Sequence, residues 1–106
     1  DFARGLTSRG VAEVLIIARG AEGSVMWAND QGWFANAAKV KVVSRVGAGD
    51  SFMGGFTLAL AQGLPLDQAL SHGAAAASAA VMTPGTQLCR REDFERLLVE
   101  TRTTPL

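Results

Sequence analysis

The chain has 106 residues, 48% of them hydrophobic, and its 10 Lys+Arg balance its 10 Asp+Glu, so the formal net charge is zero. That length and apolar content support one domain with its own core, and the missing basic surplus excludes nucleic acid as the main partner. The single cysteine, Cys89, cannot form an internal disulfide, and the longest apolar runs, 14–18 and 74–82, fall well short of the roughly 20 residues that cross a bilayer, so a cytoplasmic setting without a membrane partner is expected.

Residues 14–18, Val-Leu-Ile-Ile-Ala followed by Gly20, predict a strand buried on both faces, which favours an α/β sheet. Residues 23–28 form a second run. After Asn29, Asp30, Gln31 and Gly32 come Trp33, Phe34 and Ala35, so two aromatic-containing strands flank turn chemistry and a hairpin is expected. Between 39 and 43, Lys39 and Lys41 alternate with Val40 and Val42, the pattern of a half-exposed strand. Beyond the glycines at 47 and 49, Phe52, Phe56, Ala59 and Leu60 recur at helical spacing until Gly63-Leu64-Pro65 ends the helix. A second helix runs from Pro65 or Leu66 to about Met82, with Leu66, Ala69, Leu70, Gly73, Ala74, Ala77 and Val81 as one stripe and alanine on its other faces. Such a helix is buried on most sides, and its small side chains let a neighbouring backbone or a flat ligand come close. A loop over 83–86 leads to a last amphipathic helix, from Arg91 to about Thr101, resting on Phe94, Leu97 and Leu98; the tail beyond it is expected to fray.

Chemistry concentrates in Val46-Gly47-Ala48-Gly49-Asp50-Ser51-Phe52, which places two glycines and a carboxylate where a strand gives way to a helix. The first N–H groups of a helix have no intrahelical partner and the helix dipole adds partial positive charge, so such a turn cradles a phosphate without any lysine. Asp50 would repel that phosphate unless it has work of its own, and accepting the proton of an attacking hydroxyl is such work. Equally open at this point is a tight turn with Asp50 as the N-cap of an ordinary helix.

The stretch from Val46 through Gly54 and Gly55 resembles the carboxy-terminal signature of the ribokinase/PfkB-like carbohydrate kinases. Ala18-Arg19-Gly20-Ala21-Glu22-Gly23 is similar to that family's nucleotide-side loop, with Ala18 where a hydroxyl residue is usual, and Pro84-Gly85-Thr86-Gln87-Leu88-Cys89 resembles the minor bacterial 6-phosphofructokinase branch. The resemblance implies a carboxy-terminal part of a three-layer α/β/α ribokinase-like fold, residues 1–106 being its nucleotide-binding part. It implies Asp50 as catalytic base for a sugar hydroxyl, the amides of Gly47, Ala48, Gly49 and Asp50 as anion hole, and ATP and Mg2+ as cofactors. It places adenine between Gly20 and Gly23 on one side and Ala74, Ala77 and Ser78 on the other. A monovalent cation such as K+ would lie against Ser44, Val46, Ala80, Thr83 and Gly85, although Ser44-Arg45 stands where many relatives have Asp-Thr.

The family's sugar-recognition residues, lid and acidic magnesium-associated motif belong to an amino-terminal part that does not appear here. Together with the start at Asp1 rather than Met, this reads as a piece of a longer kinase, prone to self-association unless the amino-terminal part accompanies it. The leading expectation is phosphoryl transfer from ATP to a sugar or sugar-phosphate hydroxyl; the alternative is an inactive nucleotide-binding module or truncated homologue. Other residues invite ordinary readings: His72 structural, Trp27 and Trp33 packed in the sheet, Met26, Met53 and Met82 core filler, Cys89 a loop thiol, and Arg90-Arg91-Glu92-Asp93 a solvated helix start.

Overall fold

A computed structural model of the chain describes residues 14–28, 30–43, 47–82 and 91–106. The strands are β1 (Val14–Ala18), β2 (Ser24–Ala28), β3 (Gln31–Ala35) and β4 (Thr103–Pro105), and they form a four-stranded sheet in the order β1-β2-β3-β4. Every pairing is antiparallel. The helices are α1 (Ala48–Ala61), α2 (Leu66–Val81) and α3 (Arg91–Glu100).

The expected hairpin is present. Ser24 pairs with Ala35 and Ala28 with Gln31, and Asp30 takes φ 63°, the left-handed conformation that Asp and Asn tolerate in tight turns. A Cβ on Gly32 would stand 2.7 Å from the Trp27 indole, so the buried ring of Trp27 fills the space that this glycine leaves open. Ile16, Met26 and Trp33 share one face of the sheet through the register Ile16↔Met26↔Trp33, and that face packs against Phe52, Phe56 and Ala59 of α1 and Ala69, Leu70 and Ala74 of α2. The described residues therefore form a sheet with helices on one face.

The ends of α1 obey local rules. Gly63, at φ +85°, closes the helix with a Schellman motif, in which Leu64 N–H donates to Ala59 O at 3.1 Å and Gly63 N–H to Leu60 O at 3.0 Å. Pro65, extended at ψ 162°, then opens α2. The alanine faces of α2 are buried as expected: Ala69 and Ala74 meet α1 and the sheet, while Ala75 and Ala79 meet Leu97 of α3 and Ala38.

Four expectations are corrected. β1 is not buried on both faces: Val14 and Ile17 are 37% and 38% exposed, because among the described residues β1 lies at the edge of the sheet, paired with β2 alone. Residues 39–43 are not a strand; the edge of β3 away from β2 is taken by β4, with Trp33↔Pro105 and Ala35↔Thr103. The tail does not fray, since Leu106 N–H donates to Gly32 O at 2.9 Å beyond that pairing. Met53 is exposed at 52%, as is Leu60 at 42%, whereas Met26 is wholly buried. No described helix is long and apolar enough to cross a membrane.

Candidate functional site

A cleft of about 470 Å³ opens between α1, α2, the β1–β2 connection and the irregular segment 37–42, within the size range of small-molecule sites. From α2 come Ala74, Ala77, Ser78 and Val81, spaced i, i+3, i+4, i+7 and so on one helical face. The opposing wall is the segment 37–42, from which Ala37, Ala38, Lys39, Val40 and Val42 line the cleft; the alternation read from the sequence does not separate the faces here, because no strand forms and Lys39 lines the cleft beside the valines. Ala18, Gly20 and Ser24 close one end, and Ala48, Gly49 and Phe52 the other. Lys39 is the only charged side chain among these lining residues.

The β1–β2 connection is a single 3₁₀ turn, Gly20–Glu22. Gly20 and Gly23 adopt φ +57° and +95°, and the turn is held by Arg19 N–H to Gly23 O at 2.9 Å and Gly23 N–H to Gly20 O at 3.1 Å. A Cβ on Gly23 would stand 2.5 Å from the Ala35 carbonyl oxygen. Gly20 thus faces the cleft, whereas Gly23 is buried behind it and shapes the turn.

At the other end, the first hydrogen bond within α1 runs from Ser51 N–H to Gly47 O at 2.9 Å. The N–H groups of Gly47, Ala48, Gly49 and Asp50 precede the helical ladder, and the N-cap is Gly47, at φ +82°. Asp50 is therefore not the N-cap; it sits in the first turn and is exposed. The conformation that demands glycine is at Gly47, not Gly49. Around Gly49 an added Cβ would meet nothing within 4 Å, so this position borders open space beside the free amides. Gly47 and Asp50 share that turn without lining the cleft themselves.

Of the five residues expected around a monovalent cation, Ser44, Val46, Thr83 and Gly85 lie outside the described residues, as do Arg45, Cys89 and Arg90; Ala80 is buried near the end of α2. No group of three or more His, Cys, Asp or Glu side chains fit to hold a metal occurs among the described residues. His72 Nδ1 donates to Gln68 O at 2.9 Å and its ring lies 5.7 Å from that of Phe94, a packing role at the α2–α3 contact. Arg91 and Glu92 are exposed, with Arg91 paired to Glu95 at 3.2 Å.

The pattern of the pfkB family carbohydrate kinases matches residues 2–93. The chain belongs to that family. It is 35% identical over 91 residues to the ATP-dependent 6-phosphofructokinase isozyme 2 of Mycobacterium tuberculosis, covering 86% of this chain and 27% of that protein. It is also 35% identical over 95 residues to the 1-phosphofructokinase of Bacillus subtilis, covering 90% and 31% respectively. Among solved structures, phosphofructokinase-2 from Escherichia coli in complex with potassium superposes with a TM-score of 0.86 at 32% identity, over 92% of this chain and 32% of that one. Ribokinase from Thermotoga maritima gives 0.81 at 28% identity, over 92% and 33%. The fold is thus ribokinase-like, and the chain spans about a third of the length of these relatives.

Proposed function

We propose that this chain supplies the nucleotide side of a carbohydrate kinase of the 6-phosphofructokinase type, one that transfers the γ-phosphoryl group of ATP to a hydroxyl of a sugar or sugar phosphate. The observation that carries this reading is the shared cleft: the small-residue face of α2 and the free amides at the start of α1 border one cavity. Ala74, Ala77 and Val40 line the cleft with small and apolar side chains that suit a purine, Ser24 and Ser78 line it too, and the amides of Ala48 and Gly49 at its border suit anionic oxygen.

In this reading Asp50 accepts the proton of the attacking hydroxyl, whose oxygen bonds to the γ-phosphorus as the bond to the β–γ bridging oxygen breaks and ADP leaves. The amides hold the charge that develops on the phosphoryl oxygens. Magnesium would accompany the nucleotide phosphates and supply positive charge there; the described residues hold no cluster of acidic side chains for it. The Escherichia coli relative is in complex with potassium; of the corresponding residues in this chain, Ala80 is the one among the described residues.

Titration of the chain with ATP, followed by calorimetry, tests the reading. Binding that is competed by ADP and weakened by Gly49→Val supports it. Failure of the folded chain to bind ATP overturns it.

A further inference from the structure

The wall of the cleft formed by residues 37–43 has no strand partner among the described residues, yet it must hold a fixed place if the cleft is to keep its shape. At its far end Val43 N–H donates to Val81 O at 2.6 Å, and in its middle Ala38 and Val40 pack against Ala75, Ala79 and Leu97. At its near end stands Asn36. The Asn36 side-chain amide donates to Glu100 O at 3.1 Å, its Oδ1 accepts from Arg102 N–H at 2.6 Å, and its own N–H donates to Arg102 O at 3.2 Å. Glu100 ends α3, where carbonyls lack an intrahelical partner; Asn36 satisfies one of them and so ties the wall to α3 and to the turn before β4.

We propose that Asn36 is a positioning residue of the cleft, holding residues 37–43 where they set the affinity for nucleotide. This inference rests on the cleft being the nucleotide site.

The test measures ATP affinity and amide hydrogen exchange in Asn36→Ala, in Asn36→Asp, which keeps the acceptor for Arg102 N–H, and in Gly63→Ala. The last strains α1 at its far end, where an added Cβ meets nothing, and serves as a stability control. In Asn36→Ala, residues 37–43 should exchange faster while α1 and the first turns of α2 keep their rates, and the dissociation constant for ATP should rise about three- to tenfold, the loss of one to two modest hydrogen bonds. Asn36→Asp should fall between, and it carries the test if the alanine variant does not fold. Gly63→Ala should leave ATP affinity unchanged. Unaltered exchange at 37–43, unaltered affinity in a chain that binds ATP, or an equal loss in Gly63→Ala overturns the inference alone. A folded unmodified chain that binds no ATP overturns the nucleotide reading, and this inference with it.

Discussion

Gly73 of α2 lies directly against Phe52 of α1: a Cβ on the glycine would stand 2.9 Å from both the Phe52 ring and its carbonyl oxygen. Phe52 is buried and also lines the cleft, so this contact sets both how closely the helices approach and where the Phe52 ring stands in the cleft. Gly73→Ala gains about 0.8–1 kcal/mol of helix propensity, but overpacking costs about 1–3 kcal/mol. A net loss of stability is expected, read as a lower denaturant midpoint. An unchanged or raised midpoint would mean that the two helices part without cost.

Asp50→Asn should lower turnover by about 10²-fold or more in a full-length kinase carrying this segment, with little change in KM for ATP, as for a lost general base. Asp50 is exposed, so the fold should be unaffected. Steady-state kinetics decide: turnover near that of the unaltered enzyme removes Asp50 from the role of base.

Gly49→Val separates fold from ligand. Since nothing lies within 4 Å of the added Cβ and the position is helical, thermal stability should hold, while ATP affinity should fall about tenfold or more as the side chain enters the space beside the amides. Loss of stability without loss of affinity would make the turn a purely structural feature.

The 106-residue chain by itself should bind ATP yet show no turnover of fructose 6-phosphate, tagatose 6-phosphate or ribose. Phosphoryl transfer depends on positioning both reactants, and the chain corresponds to 27% to 33% of the relatives it matches. A coupled assay for ADP on the purified chain, with its mass in solution recorded, checks this. Ordinary kinase rates from a monomer would show that one cleft suffices for both substrates.

The hairpin, the three helices and their ends were legible because their signals are local. Gly63 and Pro65 mark the boundary between α1 and α2, and the stripe from Phe52 to Ala59 marks the buried face of α1. The cleft lining was legible in part for the same reason: Ala74, Ala77 and Val81 belong to the helical stripe and Gly49 follows from its place in the turn, whereas Ser78 and Gly20 came only with the family resemblance. What sequence order hides is pairing at a distance. Thr103, Thr104 and Pro105 carry the pattern of a loose tail and residues 39–43 that of a strand, and nothing local announces that the former occupy the β3 edge. The part of Asn36 was likewise invisible, since its partners are remote residues rather than neighbours. The demand on Gly47 instead of Gly49 needed the observed φ +82°, because either glycine satisfies the written motif.

The two side-chain bonds of Asn36 join residues 64 and 66 positions apart, whereas the hairpin closes within a dozen. Contacts of such separation form late, because a long loop must be closed before they repay its entropy. The bond from Val43 to Val81 and the packing of Ala38 on Ala75 and Ala79 need only α2, so segment 37–43 meets its Asn36 tie last, when residues 100–102 have joined the fold. The cleft proposed for nucleotide therefore takes its final shape late in folding, and a chain cut after residue 95 should keep the folded hairpin while binding ATP more weakly than the 106-residue chain.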